Sequence, residues 1–159
     1  MSEMQELTGG CQCGAVRFRV GRLGRGSLCH CRMCQKQFGH FYAPFVTSFE
    51  VTWTRGEPKW FQSSNLARRG FCADCGTPMV YQEIDGNYEL AIGSFDNPVL
   101  AAPVLQVNPG NKQPFTDTLH KLSTRLPGDS PKQDAFNARV ISNQHPDHDT
   151  AVWPPEARP

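Results

Sequence analysis

The sequence lacks a long apolar run and carries almost no net charge. No apolar stretch in its 159 residues approaches the ~20 residues that span a bilayer. Its first six residues carry two acidic side chains and no apolar stretch, which is unlike a signal peptide. The net charge of +1, from 16 Lys plus Arg and 15 Asp plus Glu, provides no field that attracts polyanions. We therefore expect a soluble, cytoplasmic protein with no nucleic-acid or membrane partner.

Sustained helical periodicity is also scarce. The 14 glycines and 13 prolines favour turns and short strands over long helices. Alternating apolar residues predict strands over 16–20, 49–53 and 88–92, and another over 77–81 that turns back towards 88–92. A helical turn is predicted only over Cys31–Phe38. At this length we expect a single, mainly β domain.

The cysteine count is odd, which excludes a complete disulfide framework. Seven cysteines lie within the first 75 residues as two, three and two. Zinc with four protein ligands is typically structural, whereas zinc with three keeps an open position for water or substrate. We therefore predict two unlike zinc sites. The structural, four-cysteine set is Cys11, Cys13, Cys72 and Cys75, and the catalytic, three-cysteine set is Cys29, Cys31 and Cys34.

Spacing supports this division. The four-cysteine set joins two distant pairs, and tying remote segments together removes more chain entropy than closing a local loop. The Cys72–Cys75 pair is alternatively a redox dithiol, but no βαβ pattern surrounds it. His30 is an alternative nitrogen ligand, although in an extended segment it would point away from Cys29 and Cys31.

Three ordered motifs carry a resemblance to a known family. They are Thr8-Gly9-Gly10-Cys11-Gln12-Cys13-Gly14-Ala15-Val16-Arg17-Phe18, Cys29-His30-Cys31-Arg32-Met33-Cys34, and Phe71-Cys72-Ala73-Asp74-Cys75-Gly76-Thr77-Pro78. Together they resemble the glutathione-dependent formaldehyde-activating enzyme family, whose domain is shared with centromere protein V. The resemblance is strongest over residues 7–107. We expect a domain over 1–127 followed by an irregular or loosely ordered tail over 128–159, in which 145–149 is solvated coil.

The resemblance implies a small, zinc-stabilised β-sheet fold of the Mss4-like or β-tent type with few short helical turns. It implies two Zn²⁺ ions, held by the four-cysteine and three-cysteine sets, the second at the active site. It also implies a carbon–sulfur lyase acting on a small thiol adduct such as S-(hydroxymethyl)glutathione, with glutathione as co-substrate.

Other residues near the three-cysteine set are candidates for the site. His40 and His30 are candidates to move a proton, although His40 can equally be a strand residue beside Phe41 and Tyr42. Arg32 and Lys36 are candidates to pair with substrate carboxylates, or else solvated surface residues.

The cysteine pattern raises two other functional interpretations. A zinc nucleobase deaminase requires an H-x-E element and a P-C-x-x-C element, and the sequence has neither. A non-catalytic, zinc-stabilised protein-interaction module is the alternative, since a fold alone does not fix a function. The three-cysteine set favours the enzyme, because a scaffold does not need an incompletely ligated zinc.

Overall fold

The computed structural model describes residues 6–154, which form ten short strands and two short helices. In chain order these are β1 Leu7–Gly10, β2 Arg17–Val20, β3 Arg22–Cys29, α1 Arg32–Phe38, β4 Ala43–Phe49, β5 Thr52–Arg55, β6 Lys59–Gln62, β7 Ala67–Phe71, β8 Pro78–Glu83, β9 Tyr88–Ala91, β10 Pro103–Val107 and α2 Pro131–Asn137. Short 3-10 turns lie between β9 and β10 and after β10. The mainly β class expected from the sequence is confirmed.

The strands form two sheets. The smaller has the order β1-β2-β5, and the larger has the order β10-β3-β4-β9-β8-β7-β6. Neighbouring strands are antiparallel except β10 and β3, which run parallel and align Val107 with Cys29. This parallel pair returns the chain after β10 to the end of β3, where the three-cysteine set begins.

Most predicted elements are present, but the strand predicted over 49–53 is wrong. Glu50 has a φ of 56°, and the chain breaks there between β4 and β5. Left-handed backbone cannot continue a strand, so β4 and β5 belong to different sheets. The predicted hairpin of β8 and β9 forms, with Val80 opposite Leu90.

The core lies where the two sheets meet. Phe18, Met79, Leu90 and Val80 are completely buried there. The Phe18 ring packs edge-on against Phe95, with centroids 5.1 Å apart. Burial of each large apolar side chain contributes about 1.5–3 kcal/mol to folding. Two of the cysteines, Cys11 and Cys72, belong to this core cluster, so the four-cysteine set is continuous with the core.

The C-terminal segment contains a helix and a docked end. α2 lies within the part expected to be irregular. Beyond it, 145–149 has no regular secondary structure and Asp147, His148 and Asp149 are exposed, as expected, but the interpretation as solvated coil is wrong for His145, which is 3% exposed. Its backbone N–H donates to the Gln12 carbonyl at 2.7 Å, and the Asp149 carboxylate accepts from Arg17 at 2.6 Å. These contacts depend on long-range packing, for which the tail sequence carries no local signal.

Among residues 6–154, no helix has the length and apolar character needed to cross a membrane.

Candidate functional site

Two facing turns hold the four-cysteine set. Cys11 and Cys13 lie in the turn between β1 and β2, and Cys72 and Cys75 lie in the turn after β7. Each turn continues into a glycine with positive φ, 79° at Gly14 and 76° at Gly76. Glycine adopts this conformation without the clash a Cβ would cause, which allows both turns to close tightly.

The four sulfurs fit a tetrahedral metal. All four Sγ atoms lie within 4.8 Å of one another. The Cys11–Cys13 and Cys13–Cys72 Sγ distances are 3.6 Å and 3.8 Å, and a tetrahedron of sulfurs about 2.3 Å from zinc has edges of about 3.8 Å. All four cysteines are free thiols. Four sulfurs leave no tetrahedral position for a substrate, so this set is suited to a structural metal.

The three-cysteine set comes from one continuous stretch of chain. Cys29 ends β3, and Cys31 caps α1, where its sulfur accepts from the Cys34 backbone N–H at 3.4 Å. Cys34 follows in the first turn of α1, three residues on and therefore on the same side. The three Sγ atoms lie within 4.8 Å of one another. The set offers three soft ligands and leaves a fourth position free.

A large cavity opens onto this three-cysteine set. Its volume is about 640 Å³, within the range of about 300–1,000 Å³ typical of ligand sites. The lining includes the three cysteines, Arg25, Thr47, Arg69, Tyr81, Glu83, Glu89 and Asn108. By contrast, a space of only about 130 Å³ adjoins Cys11 of the four-cysteine set. The two sets therefore differ in the access they give to a substrate-sized molecule.

Without a metal, the thiols of each set compete for protons. A hydrogen bond with Cys34 holds the pKa of Cys29 at about 5, and the same bond raises the pKa of Cys34. Burial alone would raise the pKa of Cys75, but hydrogen bonds from Thr77 outweigh it and lower that pKa to about 6. Burial raises the pKa of Cys13. The metal-free sets thus mix thiols with thiolates at neutral pH, and metal binding must release protons.

Four candidate side chains predicted from the sequence do not line this cavity. Arg32 and Lys36 lie on the exposed side of α1, and the Arg32 guanidinium donates to Gln35 at 2.9 Å. His40 is exposed and packs against Phe41, with ring centroids 4.0 Å apart. His30 points away from the three sulfurs, as expected for an extended segment, and its Nε2 lies 2.9 Å from Gln106 Oε1. The roles assigned to Arg32, Lys36 and His40 remain predictions.

The structure adds two contacts to the three-cysteine set. Asn108, which follows β10, donates its side-chain N–H to Cys29 Sγ at 3.3 Å. Arg69 of β7 donates to Cys34 Sγ at 3.4 Å. Neither was found from the sequence, because both contacts depend on which distant strands pair. The only sequence feature that points to Arg69 is its position three residues before Cys72.

Comparison with known proteins agrees with this arrangement. The structure is similar to the crystal structure of a Rhodobacter sphaeroides protein, a structural-genomics target, with a TM-score of 0.51. The two are 24% identical over 63% of this chain and 99% of the other, so the likeness concerns the fold alone. A family model for the glutathione-dependent formaldehyde-activating enzyme matches residues 6–109, more than half of the chain, and includes both cysteine sets. The chain therefore belongs to the glutathione-dependent formaldehyde-activating enzyme family.

Proposed function

We propose that this protein is a zinc-dependent carbon–sulfur lyase that interconverts S-(hydroxymethyl)glutathione with glutathione and formaldehyde. One observation carries the proposal: the incompletely ligated three-cysteine set opens into the 640 Å³ cavity, whereas the four-cysteine set does not. A protein-interaction module would need neither the open set nor the cavity.

The cavity has groups that complement a charged peptide. Glutathione carries two carboxylates and one ammonium group. Arg25 supplies a guanidinium for a carboxylate, and Glu83 supplies a carboxylate for the ammonium. We assign substrate binding to these residues, alongside the sequence candidates Arg32 and Lys36 on the neighbouring surface.

The reaction requires a proton to move at each end of the carbon–sulfur bond. In the breakdown direction, the adduct hydroxyl loses its proton as its oxygen forms the carbonyl double bond. The sulfur leaves with the electron pair of the broken bond and takes up a proton. Glu89 is the candidate for this transfer within the cavity, because burial raises the pKa of its carboxyl and its Oε1 accepts a hydrogen bond from the Thr47 hydroxyl at 2.8 Å.

Zinc is the metal that best matches the donor sets. Thiolate ligands select soft or borderline ions, and Cys29, Cys31 and Cys34 would hold one ion while the four-cysteine set holds a second. Zinc bound by the three-cysteine set would supply Lewis acidity that favours the thiolate form of a substrate sulfur. A cytoplasmic location would keep all seven thiols reduced and available.

Exchange spectroscopy tests the proposed activity. In a mixture of glutathione and formaldehyde, NMR exchange measurements give the rate at which free glutathione and its hydroxymethyl adduct interconvert. We expect the zinc-loaded protein to increase that rate, and the Cys34→Ala variant to leave it at the rate without protein. S-methylglutathione offers only a thioether, so it should compete weakly. An exchange rate unchanged by the zinc-loaded protein would contradict the lyase.

A further inference from the structure

Arg69 is a buried cation without a carboxylate partner among residues 6–154. Arg69 is 3% exposed, and no aspartate or glutamate among residues 6–154 forms an ion pair with it. A buried charge is costly unless another charge or a full set of hydrogen bonds compensates it. The anion that compensates Arg69 must therefore be sought among other groups.

The guanidinium is fixed by three hydrogen bonds. Nη1 donates to Gln37 Oε1 at 2.8 Å and Nε donates to Ser63 Oγ at 2.8 Å. The third nitrogen, Nη2, donates to Cys34 Sγ at 3.4 Å. The two amide and hydroxyl partners are neutral, so the sulfur of Cys34 is the partner that can carry a negative charge.

The ring of Tyr81 completes the arrangement. The guanidinium carbon of Arg69 lies 4.9 Å from the Tyr81 ring centroid, a cation–π contact. Tyr81 is opposite Arg69 in the pairing of β7 with β8, and both line the cavity. Arg69 is therefore held in one orientation at the edge of the three-cysteine set.

The charges account for this placement. A divalent metal with three thiolates has a net charge of −1. One guanidinium at hydrogen-bonding distance brings the local total to zero, which reduces the repulsion of a thiolate substrate in the cavity. Outer hydrogen-bond partners of metal ligands also fix ligand orientation.

We propose that Arg69 is the positioning residue of the three-cysteine site: it fixes the Cys34 sulfur and compensates the negative charge of the three thiolates around a bound divalent metal. The inference rests on the proposed function in one respect, that the three-cysteine set holds a metal. It does not depend on the identity of the substrate.

The neighbouring Arg68 provides a matched control. It lies on the same strand but is exposed, with its guanidinium 4.0 Å from the Trp60 ring centroid and bonded to Gln82 at 2.8 Å. Successive side chains of a strand point to opposite faces, so Arg68 points away from the three-cysteine set. Replacing either arginine with methionine removes one charge and keeps an unbranched apolar chain.

The test follows metal release from each site. The parent, Arg69→Met, Arg69→Lys and Arg68→Met proteins are loaded with zinc, and transfer to a chromogenic chelator is recorded with time. We expect a fast phase from the three-cysteine set and a slow phase from the four-cysteine set. Arg69→Met should accelerate the fast phase about 10–100-fold, the usual effect of losing an outer partner of a metal ligand, and leave the slow phase unchanged.

The other variants distinguish the proposed role of Arg69 from a general effect on stability. Arg69→Lys keeps the charge and should restore part of the retention, and Arg68→Met should match the parent. In cobalt-loaded protein, Arg69→Met should shift the sulfur-to-cobalt absorption bands of the three-cysteine site, a change that a purely structural role would not produce. If Arg69→Met does not fold, Ser63→Ala and Gln37→Ala each remove one support of the guanidinium and should accelerate the fast phase by a smaller factor.

The possible failures are distinguishable. A parent with two metals whose fast phase is unchanged in Arg69→Met, or in both support variants, overturns the role of Arg69 and leaves the proposed activity standing. Equal acceleration of both phases also overturns it, because that result indicates general unfolding. A parent that holds one metal overturns both proposals. A parent with two metals, the expected metal release and no effect on glutathione exchange overturns the lyase alone.

Discussion

At the scale of single residues, the surroundings of the cysteines decide what each one contributes. Cys72 is 1% exposed and belongs to the main core cluster with Phe18 and Leu90. Cys34 is 4% exposed but belongs to a small separate cluster with Ala43 and Phe45, beside the cavity. Loss of a sulfur should therefore have different consequences at the two positions.

Replacement of each cysteine by alanine should separate stability from activity. Cys72→Ala removes a ligand from the site that ties the β1–β2 turn to the turn after β7. Structural zinc contributes about 10–16 kcal/mol in small peptides, so we expect this variant to unfold or aggregate. Cys34→Ala should give a folded, inactive protein. Thermal melts of both compare them directly, and equal destabilisation would show that the three-cysteine set is structural too.

A second residue-scale prediction concerns Asp96. The Arg17 guanidinium donates to both of its oxygens, at 2.9 Å and 2.6 Å, and Thr8 donates to it at 2.6 Å. Burial alone would raise the pKa of Asp96, but these hydrogen bonds outweigh it and lower the pKa below 3.8. A lowered pKa stabilises the fold above the unfolded value, and this contribution is lost as the pH falls through the folded value.

Asp96→Asn should therefore destabilise the protein at neutral pH by about 1–3 kcal/mol, because Arg17 loses a bidentate charged partner but keeps Asp149. The difference from the parent should shrink as the pH falls below about 4. Urea unfolding of the parent and Asp96→Asn proteins between pH 7 and pH 3 measures this difference in the free energy of unfolding. The exposed Asp85→Asn is the control, and a difference that does not change with pH would contradict the ion pair.

At the scale of elements, the end of the tail is part of the four-cysteine site's surroundings. The His145 and Trp153 rings pack with centroids 4.5 Å apart, and both approach Gly14. Arg55 of β5 donates to the Gly14 carbonyl at 3.1 Å and to the Thr150 hydroxyl at 3.2 Å. The turn between β1 and β2 is thus covered by a segment more than 130 residues away in sequence.

Gly14→Ala should reveal how much this covering contributes. A Cβ there would lie 2.2 Å from His145 Cδ2, so the tail must move. Gly76→Ala is a matched control, since its φ of 76° is close to the 79° of Gly14 and nothing lies within 4 Å of its Cβ. We expect Gly76→Ala to lower the free energy of unfolding by about 1–2 kcal/mol, from backbone strain alone. Gly14→Ala should lower it clearly more, because the tail must also move. Thermal melts that show equal losses of stability in the two variants would mean that the docked tail adds no stability.

The boundary at residue 127 between the domain and the tail remains a prediction.

At the scale of the whole molecule, β7 connects the two cysteine sets. Arg69 of this strand donates a hydrogen bond to Cys34 Sγ of the three-cysteine set. Cys72 of the four-cysteine set directly follows Phe71, the last residue of the strand. The three-cysteine set faces the cavity, whereas the four-cysteine set lies on two turns against the core, with Cys11 and Cys72 buried and Cys13 and Cys75 half-buried. The two metals should therefore exchange independently and at different rates.

We expect metal analysis of the freshly purified protein to find two zinc ions per chain. A chelator should remove the ion of the three-cysteine set first, without loss of fold, and removal of the second should unfold the protein. Circular dichroism recorded during chelation links each loss of metal to structure. One zinc or none, with all seven thiols reacting freely, would contradict the division into two sets.

The sequence was sufficient for features that depend on local spacing. The three-cysteine set, the α1 turn and the β8–β9 hairpin follow from residues close together in the chain, and the grouping of the four-cysteine set follows from metal chemistry. The contacts of Arg69, Asn108 and His145 could not be predicted, because they arise only after distant strands and the tail have packed. The break at Glu50 has no signal in the sequence, because the apolar alternation continues across it.

The order in which the ligands leave the ribosome differs between the two sets. The three-cysteine set is complete once Cys34 has emerged, whereas Cys13 must wait for a partner 59 residues later, at Cys72. At about 5–20 residues per second, some 40 residues of synthesis between Cys34 and Cys75 take a few seconds. A nascent chain therefore completes its three-cysteine set before its four-cysteine set. The set that faces the cavity is therefore complete first, and the set that belongs to the core cluster is complete only when Cys75 has emerged.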